Sequence, residues 1–451
     1  MPPDKRSSAL DIAIVGAGIA GLTAAIALLA GDGARHRVTV LERYANCQPT
    51  FGGAVQLHTN ATRVLREYGV AEEIEACLPE LRSVHNIHRL SDGRLLYNLP
   101  ADVSRRAYKS PIWNINRGDL LRILLAQAEK LGAVCRFAAR VVDIDAEADR
   151  PLLALENGET HSVDLVIASD GVRSRIRERM LGPVAVQHRL TAYSINVDRE
   201  KLRGHNDLDS LLNRSGFWVG PKQTVVGVDL PSTCTFVFCT ERDDGVAGVW
   251  DKPHDVEDVR RQFADAEPRL QKCLSLATGT CYVWQFSDLP VLDRWSSRNG
   301  RVVLIGDAAH AVLPFAAQGA GTSIEDGACL AGCLLRSGSV AEATAAFEAI
   351  RKPRTTFISK AGHMNMEFGH LADGPEQEAR DAALERMRIH EANMGGPRLT
   401  PPAGPPPNDL HGFEPPEKVT NLYTPSARAY VSGYDIFAHA SASGRILGYI
   451  C

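Results

Sequence analysis

The stretch DIAIVGAGIAGLTAAIALLAGDGARHRVTVLER, residues 11–43, decides the fold of this chain. It opens with a short apolar run, Ile12 to Val15, of the kind that forms a buried parallel strand. An Ala- and Leu-rich helix is predicted from about Leu22 to Ala30, and a second strand from Val38 to Leu41. This order of elements predicts a βαβ unit in an open α/β sheet.

Three glycines in G-x-G-x-x-G spacing join the first strand to the helix. Gly16 permits the tight turn, Gly18 leaves room for a pyrophosphate to approach the backbone, and Gly21 lets helix and strand pack closely. Glu42 ends the second strand, where a carboxylate can bond a ribose hydroxyl. Because an ordinary Gly-rich turn does not account for Glu42, we expect a dinucleotide site. The motif leaves open whether the ligand is NAD or FAD.

Composition narrows the class of protein. The 451 residues suffice for two lobes and a tail, and the net charge of −4 without a basic block argues against nucleic acid as a partner. Ten cysteines show neither C-x-x-C nor Cys/His ligand spacing, so we predict no metal site, no disulfide framework and a cytoplasmic location. The sequence shows no signal peptide and no apolar run of about 20 residues, so no membrane span is expected.

Two later blocks each end an apolar strand in an acid. LVIASDG ends in Asp170 and Gly171, and VVLIGD ends in Asp307. Ligands of open α/β sheets bind at the carboxyl ends of the strands, so both acids are candidate contacts to one elongated cofactor. After Pro314, glycines open a loop and a helix begins near Thr322, where free N–H groups can hold an electron-rich ring edge.

The remaining segments differ from these blocks in hydrophobic pattern and composition. From about Val184 to Trp284, alternating stretches such as TAYSINVD and CTFVFCT predict a mixed sheet, with a helix packed on it from about Val256 to Ala277. Lys352-Pro353-Arg354 predicts a helix break, and a charged helix is predicted over Pro375 to Ala392. Residues 394–418 are Pro-rich and predicted to be extended or disordered.

Taken together, GAGIAG with Glu42, ASDG with Asp170, and IGDAAH with Asp307 followed by LPFAAQGAG resemble the single-component, group A flavin monooxygenases. The salicylate-hydroxylase-like fungal members are the most similar. The resemblance covers roughly residues 11 to 355 and extends more faintly to YVSGYDIFAH near the end of the chain. This chain contains a single G-x-G-x-x-G motif, which is consistent with a family in which no separate Rossmann domain binds the nicotinamide cofactor.

The resemblance implies an α/β fold in three parts. A Rossmann-like FAD-binding domain would comprise residues 1–80, 112–183 and 285–350, an inserted mixed-sheet substrate domain residues 81–111 and 184–284, and a C-terminal helical and Pro-rich extension residues 351–451.

It also implies which residues hold FAD. The ADP half would lie against Gly16, Gly18, Gly21 and Glu42, with Arg43 on the adenine side. The flavin half would be approached by Gly53, Ala54, Arg117, Asp170, Asp307, Gly319, Ala320, Gly321 and Thr322, with Pro314 near the reacting edge of the ring. Asp170 belongs to a motif linked to both FAD and NAD(P)H, and Asp307 would bond the ribityl hydroxyls.

The implied activity is an NADPH- or NADH-dependent monooxygenation. In that reaction FAD would be reduced, O₂ would add as a C4a-hydroperoxyflavin, and one oxygen atom would pass to an aromatic or polycyclic small molecule, as in secondary metabolism. The enzyme would be a monomer or homodimer. Two alternatives stay open: a reductase, oxidase or halogenase on the same fold, and a catalytically silent flavin-binding module whose Pro-rich tail binds a partner.

The chain departs from the fungal members at Ala192-Tyr193-Ser194, where many of them carry an Arg after the aromatic residue. Phenolate activation by that Arg is therefore in question here, and the substrate is expected to be neutral. Tyr193, Trp218 and Phe315 are the candidate pocket residues, and Tyr193 and Pro314 the candidate catalytic ones. The alternative reading of the three aromatic side chains is ordinary sheet core.

Overall fold

The structure is a computed structural model that describes residues 9–30, 36–47, 53–80, 83–241, 252–277, 281–393 and 430–437. The predicted Pro-rich segment 394–418 lies outside these ranges. The strands are β1 (Asp11–Val15), β2 (Arg37–Leu41), β3 (Ala54–Leu57), β4 (Ser83–Arg89), β5 (Leu95–Pro100), β6 (Trp113–Asn116), β7 (Val134–Arg136), β8 (Val141–Asp145), β9 (Leu152–Leu155), β10 (Thr160–Ser162), β11 (Leu165–Ala168), β12 (Gln187–Asp198), β13 (Arg214–Gly220), β14 (Gln223–Asp229), β15 (Thr233–Thr240), β16 (Lys252–His254), β17 (Cys281–Asp288) and β18 (Val302–Leu304). The helices are α1 (Ile19–Leu29), α2 (Thr59–Glu67), α3 (Ala71–Glu75), α4 (Ala101–Tyr108), α5 (Arg117–Lys130), α6 (Arg175–Leu181), α7 (Arg199–Leu202), α8 (Val256–Gln262), α9 (Pro268–Leu276), α10 (Asp307–His310), α11 (Gly319–Arg336), α12 (Val340–Gly369) and α13 (Pro375–Asn393), with 3₁₀ turns at Asp209–Leu211 and Pro314–Ala316.

A five-stranded parallel sheet in the order β18-β11-β1-β2-β7 forms one layer. Its central strand carries the fully buried Ile12 and Ile14, as the apolar run predicts. Helices α1 and α11 pack in backbone contact, because a Cβ built on Gly327 would lie 2.8 Å from the nitrogen of Ala24. The α/β fold predicted from residues 11–43 is confirmed.

The second large sheet has eight strands in the order β16-β17-β12-β15-β14-β13-β4-β5. It is mixed, because β4 and β13 pair in parallel while the other neighbours pair antiparallel. Alternate residues of a strand face opposite sides, and Ile195 and Val197 share one apolar cluster with Phe263 and Leu270 of the region around α8 and α9. These helices therefore cover one face of the sheet.

Two small sheets complete the strands of the described chain. Strands β8, β9 and β10 form an antiparallel sheet of three, and β3 pairs antiparallel with β6 in a two-stranded ribbon. The ribbon joins the parallel layer to the mixed sheet. Its Leu57 and Ile115 belong to the apolar core of the parallel layer, and its Gln56 and Asn114 contact Ser215 of β13.

The helix break predicted at residues 352–354 is wrong, because α12 runs through Pro353 without interruption. A proline inside a helix costs about 3 kcal/mol. On either side of it, Arg351 and Arg354 form buried ion pairs with Glu325 of α11, and these contacts hold the helix together. The single helix predicted over residues 256–277 is two, since Pro268 begins α9 at a position proline favours.

Candidate active site

Three turns follow the carboxyl ends of β1, β11 and β18, which are neighbours in the parallel sheet. They carry Gly16, Asp170 and Asp307, and because neighbouring parallel strands end at the same edge, the turns lie side by side. The first two touch directly, since the hydroxyl of Ser169 donates to the carbonyl oxygen of Gly16 at 3.0 Å. The fold thus brings together the three motifs that the sequence predicts to contact one elongated ligand.

The glycine turn is shaped partly by packing and partly by open space. Gly16 has φ +108°, and a Cβ built on Gly21 would lie 2.0 Å from the carbonyl oxygen of Gly16. A Cβ built on Gly18, by contrast, would have no atom of the described residues within 4 Å. Gly16 and Gly21 are therefore required by the protein itself, while Gly18 faces space in which a phosphate can approach the N-terminus of α1.

Glu42 stabilises the glycine turn through hydrogen bonds to the backbone. Its Oε2 accepts a hydrogen bond from the backbone N–H of Ala17 at 2.8 Å, and its Oε1 accepts one from the backbone N–H of Tyr44 at 3.0 Å. Each carboxylate oxygen has a second lone pair, so the side chain can still accept from a ribose hydroxyl. Arg43 is exposed beside it, with its guanidinium 4.8 Å from the centroid of the Tyr44 ring.

Asp170 and Asp307 differ in their surroundings. Oδ2 of Asp170 accepts from the backbone N–H groups of Arg175 and Ile176 at 2.9 and 3.3 Å, and burial raises the pKa of this carboxyl. Its buried Oδ1 has no hydrogen-bond partner among the described residues. Asp307 is exposed at the start of α10, where its carboxylate can accept hydroxyl groups. Both acids thus offer oxygens that a polyhydroxyl ligand can satisfy.

The first turn of α11 offers backbone donors. Gln318 caps this 18-residue helix without a side-chain hydrogen bond to it, and the first N–H to bond within the helix is that of Thr322, at 2.7 Å from the Gln318 carbonyl oxygen. The N–H groups of Gly319, Ala320 and Gly321 therefore have no helical carbonyl as partner, and they lie at the positive end of the helix dipole. Such an end stabilises negative charge on a ring edge.

Gly53, Ala54 and Arg117 lie together at one end of the β3–β6 ribbon. Ala54 pairs with Asn116, and the backbone N–H of Arg117 donates to the carbonyl oxygen of Gly53 at 3.0 Å. Arg117 lies at the start of α5 and is exposed to solvent. No atom of the described residues lies within 4 Å of a Cβ built on Gly53, so the backbone there is open to a planar group.

The pocket roles predicted for Tyr193 and Trp218 are corrected by the structure. Tyr193 is completely buried against the helix-covered face, where its hydroxyl accepts a hydrogen bond from Gln262 at 3.0 Å. Trp218 is 1% exposed on the same face and donates to Glu267 at 2.7 Å. Neither ring is open to a ligand on the other side of the sheet. Both side chains belong to the sheet core, which was the alternative interpretation. The residue type predicts that an aromatic ring is buried, but it does not predict on which face of the sheet the ring lies.

The opposite face of the mixed sheet meets the loop before α11. There Phe315 makes a T-shaped contact with Phe217 of β13, with ring centroids 6.4 Å apart, and a second with His370 at 5.6 Å. Pro314 lies at the start of the same turn. Uncharged residues that alternate with the helix-facing positions lie at the centre of this face: Ala192, Ser194, Ser215, Phe217, Val226 and Val237. None of them was predicted as a pocket residue. Alternation places Ala192 and Ser194 on the face opposite Tyr193, but it does not show which of the two faces the pocket occupies.

Two polar groups on this face can bind a ligand. The buried hydroxyl of Ser194 has no hydrogen-bond partner in the described part of the chain. Ser215 lies on the same face and accepts from the amide of Asn114 at 2.6 Å. At the edge, Nδ1 of His370 lies 2.7 Å from Glu241; burial lowers the pKa of this histidine, and the carboxylate opposes that shift. The face is apolar at its centre and polar at its margins.

Comparison with known proteins agrees with this geometry. The sequence profile of the family described as FAD binding domain matches residues 9–354. The FAD-dependent monooxygenase OpS4 of Beauveria bassiana (strain ARSEF 2860) is 31% identical over 400 residues, covering 85% of this chain and 90% of that protein. The 3-amino-4-hydroxybenzoate 2-monooxygenase of Streptomyces cremeus is 32% identical over 388 residues, covering 84% and 92%. The chain therefore belongs to the FAD-binding-domain family, and it is an FAD-dependent monooxygenase.

Solved structures share the fold. CtdE in complex with FAD and a substrate superposes with a TM-score of 0.74 at 24% identity, covering 85% of this chain and 98% of that one. Salicylate hydroxylase in its substrate complex superposes with a TM-score of 0.73 at 21% identity, covering 98% and 99%. Within the described residues, no helix is both long and apolar enough to cross a membrane, and no group of three or more His, Cys, Asp or Glu side chains is arranged to hold a metal ion.

Proposed function

We propose that this monooxygenase uses NADPH or NADH and inserts one atom of O₂ into an uncharged aromatic or polycyclic small molecule. The observation that carries the proposal is the apolar centre of the mixed-sheet face opposite the loop before α11, where Phe217 and Phe315 meet. An apolar, aromatic surface with a few polar groups is the usual lining of a small-molecule site. Aromatic substrates are also named for relatives, such as the 3-amino-4-hydroxybenzoate enzyme and a hispidin-3-hydroxylase of Neonothopanus nambi.

The residues fit FAD, which when bound supplies the chemistry that activates O₂. The phosphates would lie at Gly18, the ribose at Glu42 and the adenine beside Arg43. Asp170 and Asp307 would accept hydroxyl groups of the cofactor chain. The fit rests on the open space outside Gly18 and on the unpartnered Oδ1 of Asp170 within the described part of the chain.

The flavin ring would be held by backbone groups. Gly319 to Thr322 would donate N–H groups to its electron-rich edge, while Gly53 and Ala54 would approach it from the ribbon and Arg117 would contact the cofactor chain. Pro314 and Phe315 would line the reacting side. With cofactor and substrate in place, the sheet and the loop would exclude bulk water there, so that the reducing equivalents would be kept for oxygen insertion.

Ser194 would select the charge of the substrate. Its buried hydroxyl offers one hydrogen bond and no positive charge. A buried carboxylate or phenolate without a positive partner is strongly disfavoured, whereas a neutral hydroxyl or carbonyl group of the substrate can pair with Ser194. A substrate with a neutral polar group on an aromatic framework therefore satisfies this pocket.

The experiment is turnover of the full-length flavoprotein with NADH and NADPH over a panel of neutral and anionic aromatic compounds under isotopically labelled O₂. We expect a neutral aromatic compound to accelerate NAD(P)H oxidation and to gain one labelled oxygen atom, detected by mass spectrometry. Accelerated oxidation with hydrogen peroxide as the sole oxygen product across the panel would support an oxidase-type reaction and contradict the proposal. Insertion confined to carboxylate substrates would contradict the proposed substrate class.

A further inference from the structure

The first turn of α11 rests on a buried pair of amide side chains. Gln318 is completely buried, and its Oε1 accepts a hydrogen bond from Nδ2 of Asn60 at 2.9 Å. A Cβ built on Gly321 would lie 3.0 Å from that same Oε1 and 3.2 Å from Nδ2 of Asn60. The two amides therefore lie directly beneath the backbone N–H groups assigned to the flavin ring, and a shift of either one displaces that turn.

Asn60 connects this turn to a buried ion cluster. Its Nδ2 also donates to Oε1 of Glu325 at 2.6 Å, and Glu325 accepts from Arg354 at 2.7 and 2.6 Å. Arg351 lies 2.7 Å from the same carboxylate. Burial alone raises the pKa of Glu325, but the two guanidinium groups outweigh it and hold that pKa below its usual range. Glu325 is therefore charged, and its position depends on both arginines.

A distant segment near the end of the chain completes the cluster. We call residues 430–437 the C-terminal strap. Arg354 donates to the carbonyl oxygens of Tyr430 and Val431 at 2.9 and 3.2 Å, and its guanidinium lies 3.6 Å from the centroid of the Tyr434 ring. Tyr434 is 3% exposed. The strap thus supplies the acceptors and the aromatic face that a buried guanidinium needs besides one carboxylate.

The strap also reaches the helix that carries Asn60. Thr59 donates to the carbonyl oxygen of Ser432, and Arg63 donates to that of Tyr434 at 2.8 Å. One segment therefore fixes α2 and α12 together, and the two amides lie between these helices and α11.

We propose that the C-terminal strap is a positioning element of the flavin site. It acts through Arg354, Glu325, Asn60 and Gln318 on the first turn of α11. The proposal rests on the proposed assignment of that turn to the flavin ring, but it concerns how tightly and in what environment the cofactor is held. It therefore stands or fails independently of which substrate is oxygenated.

The test compares variants of the full chain with a matched control elsewhere. Tyr434→Ala and Arg354→Met remove the strap contact from its two sides, and Tyr434→Phe keeps the ring beneath the guanidinium. The control is Arg380→Met in α13, since Arg380 is also buried, lies 2.8 Å from Asp381 and donates to the carbonyl oxygen of Phe368 at 2.8 Å. Each protein is examined for thermal unfolding without FAD, for the FAD dissociation constant, and for the visible spectrum and reduction potential of the bound flavin.

We expect Tyr434→Ala and Arg354→Met to raise the FAD dissociation constant about tenfold or more and to shift the flavin spectrum and potential. Tyr434→Phe should stay within about twofold of the parent chain, and Arg380→Met should lower thermal stability while leaving flavin affinity within about twofold. Parent-like affinity, spectrum and potential in a folded Tyr434→Ala chain would overturn the proposal. So would an equal loss of affinity in Arg380→Met, since the effect would then be general destabilisation.

Discussion

Replacing Gly18 with alanine separates ligand binding from folding in the glycine turn. Gly18 has φ −78° and ψ −177°, which alanine adopts without strain. The methyl group would enter the open space outside the turn, so it meets the phosphate rather than the protein. Losing one charge-assisted hydrogen bond to a phosphate costs about 1.5–3 kcal/mol, which raises the FAD dissociation constant about 10- to 150-fold.

The stability of the FAD-free Gly18→Ala chain should change little, because two small effects oppose each other. Reduced freedom of the unfolded chain stabilises by about 0.4–1 kcal/mol. Alanine is a poorer N-cap than glycine, which costs a similar amount, so the sum stays within about 1 kcal/mol. The unfolding temperature of the FAD-free variant should therefore match that of the parent chain.

Gly21→Ala is the matched control. Its Cβ would lie 2.0 Å from the backbone oxygen of Gly16, which cannot rotate away, so overpacking costs about 1–3 kcal/mol or more. The assay is thermal unfolding without FAD, followed by fluorescence titration with FAD. We expect Gly18→Ala to lose affinity at parent-like stability and Gly21→Ala to lose stability. Unchanged FAD affinity in Gly18→Ala would refute the assignment of that space to the phosphates.

Three further predictions follow from single side chains. Asp307→Ala should raise the FAD dissociation constant about 10- to 100-fold at unchanged unfolding temperature, because its exposed carboxylate would bond only the cofactor; parent-like affinity would contradict this. Ser194→Arg should raise the ratio of kcat/KM for carboxylate over neutral aromatic substrates about tenfold or more, whereas Ser194→Ala should not; an unchanged ratio would place Ser194 outside the pocket. Burial lowers the pKa of His58 from 6.5 to about 4, so the folded chain favours the neutral ring. About 3 kcal/mol of stability is therefore present above pH 6.5 and is lost as the pH falls towards 4, because the unfolded chain binds the proton first. In denaturant titrations, the His58→Gln variant should lose less unfolding free energy than the parent chain as the pH falls from 6.5 to 4. An equal loss in the two proteins would contradict the assignment of this pH dependence to His58.

Local sequence determines the parts of the site that are local. The turn at Gly16 to Gly21 can be predicted because strand, turn and helix are contiguous and each glycine has a separate steric reason. The sequence also predicts that Asp170 and Asp307 lie near each other, although they are far apart along the chain, because parallel strands that alternate with helices end at one edge of the sheet. The structure confirms that their strands lie side by side with β1 in one sheet.

The errors arise where residue type does not specify direction. The sequence predicts Tyr193 and Trp218 in the pocket, and both occupy the opposite face, because burial of an aromatic ring is equally favourable on either side of a sheet. The period of two fixes which residues share a face, but only tertiary contacts show which face meets the cofactor. Phe217 can therefore be assigned to the pocket only from its contact with Phe315.

Long-range ion pairs are likewise invisible in the sequence. Pro353 predicts a break by its local effect, and the buried pairs of Arg351 and Arg354 override it. Arg354 also contacts a carbonyl 76 residues further along the chain. No periodicity or spacing signals such a contact, because its energy comes from desolvated partners that only the fold brings together.

The most direct test of the central claim is a crystal structure of the full chain grown with FAD. We predict cofactor density along the edge where β1, β11 and β18 end, with phosphate beside Gly18 and the ring against the first turn of α11. Density that avoids this edge, or a folded chain that takes up no flavin at saturating FAD, would contradict the account.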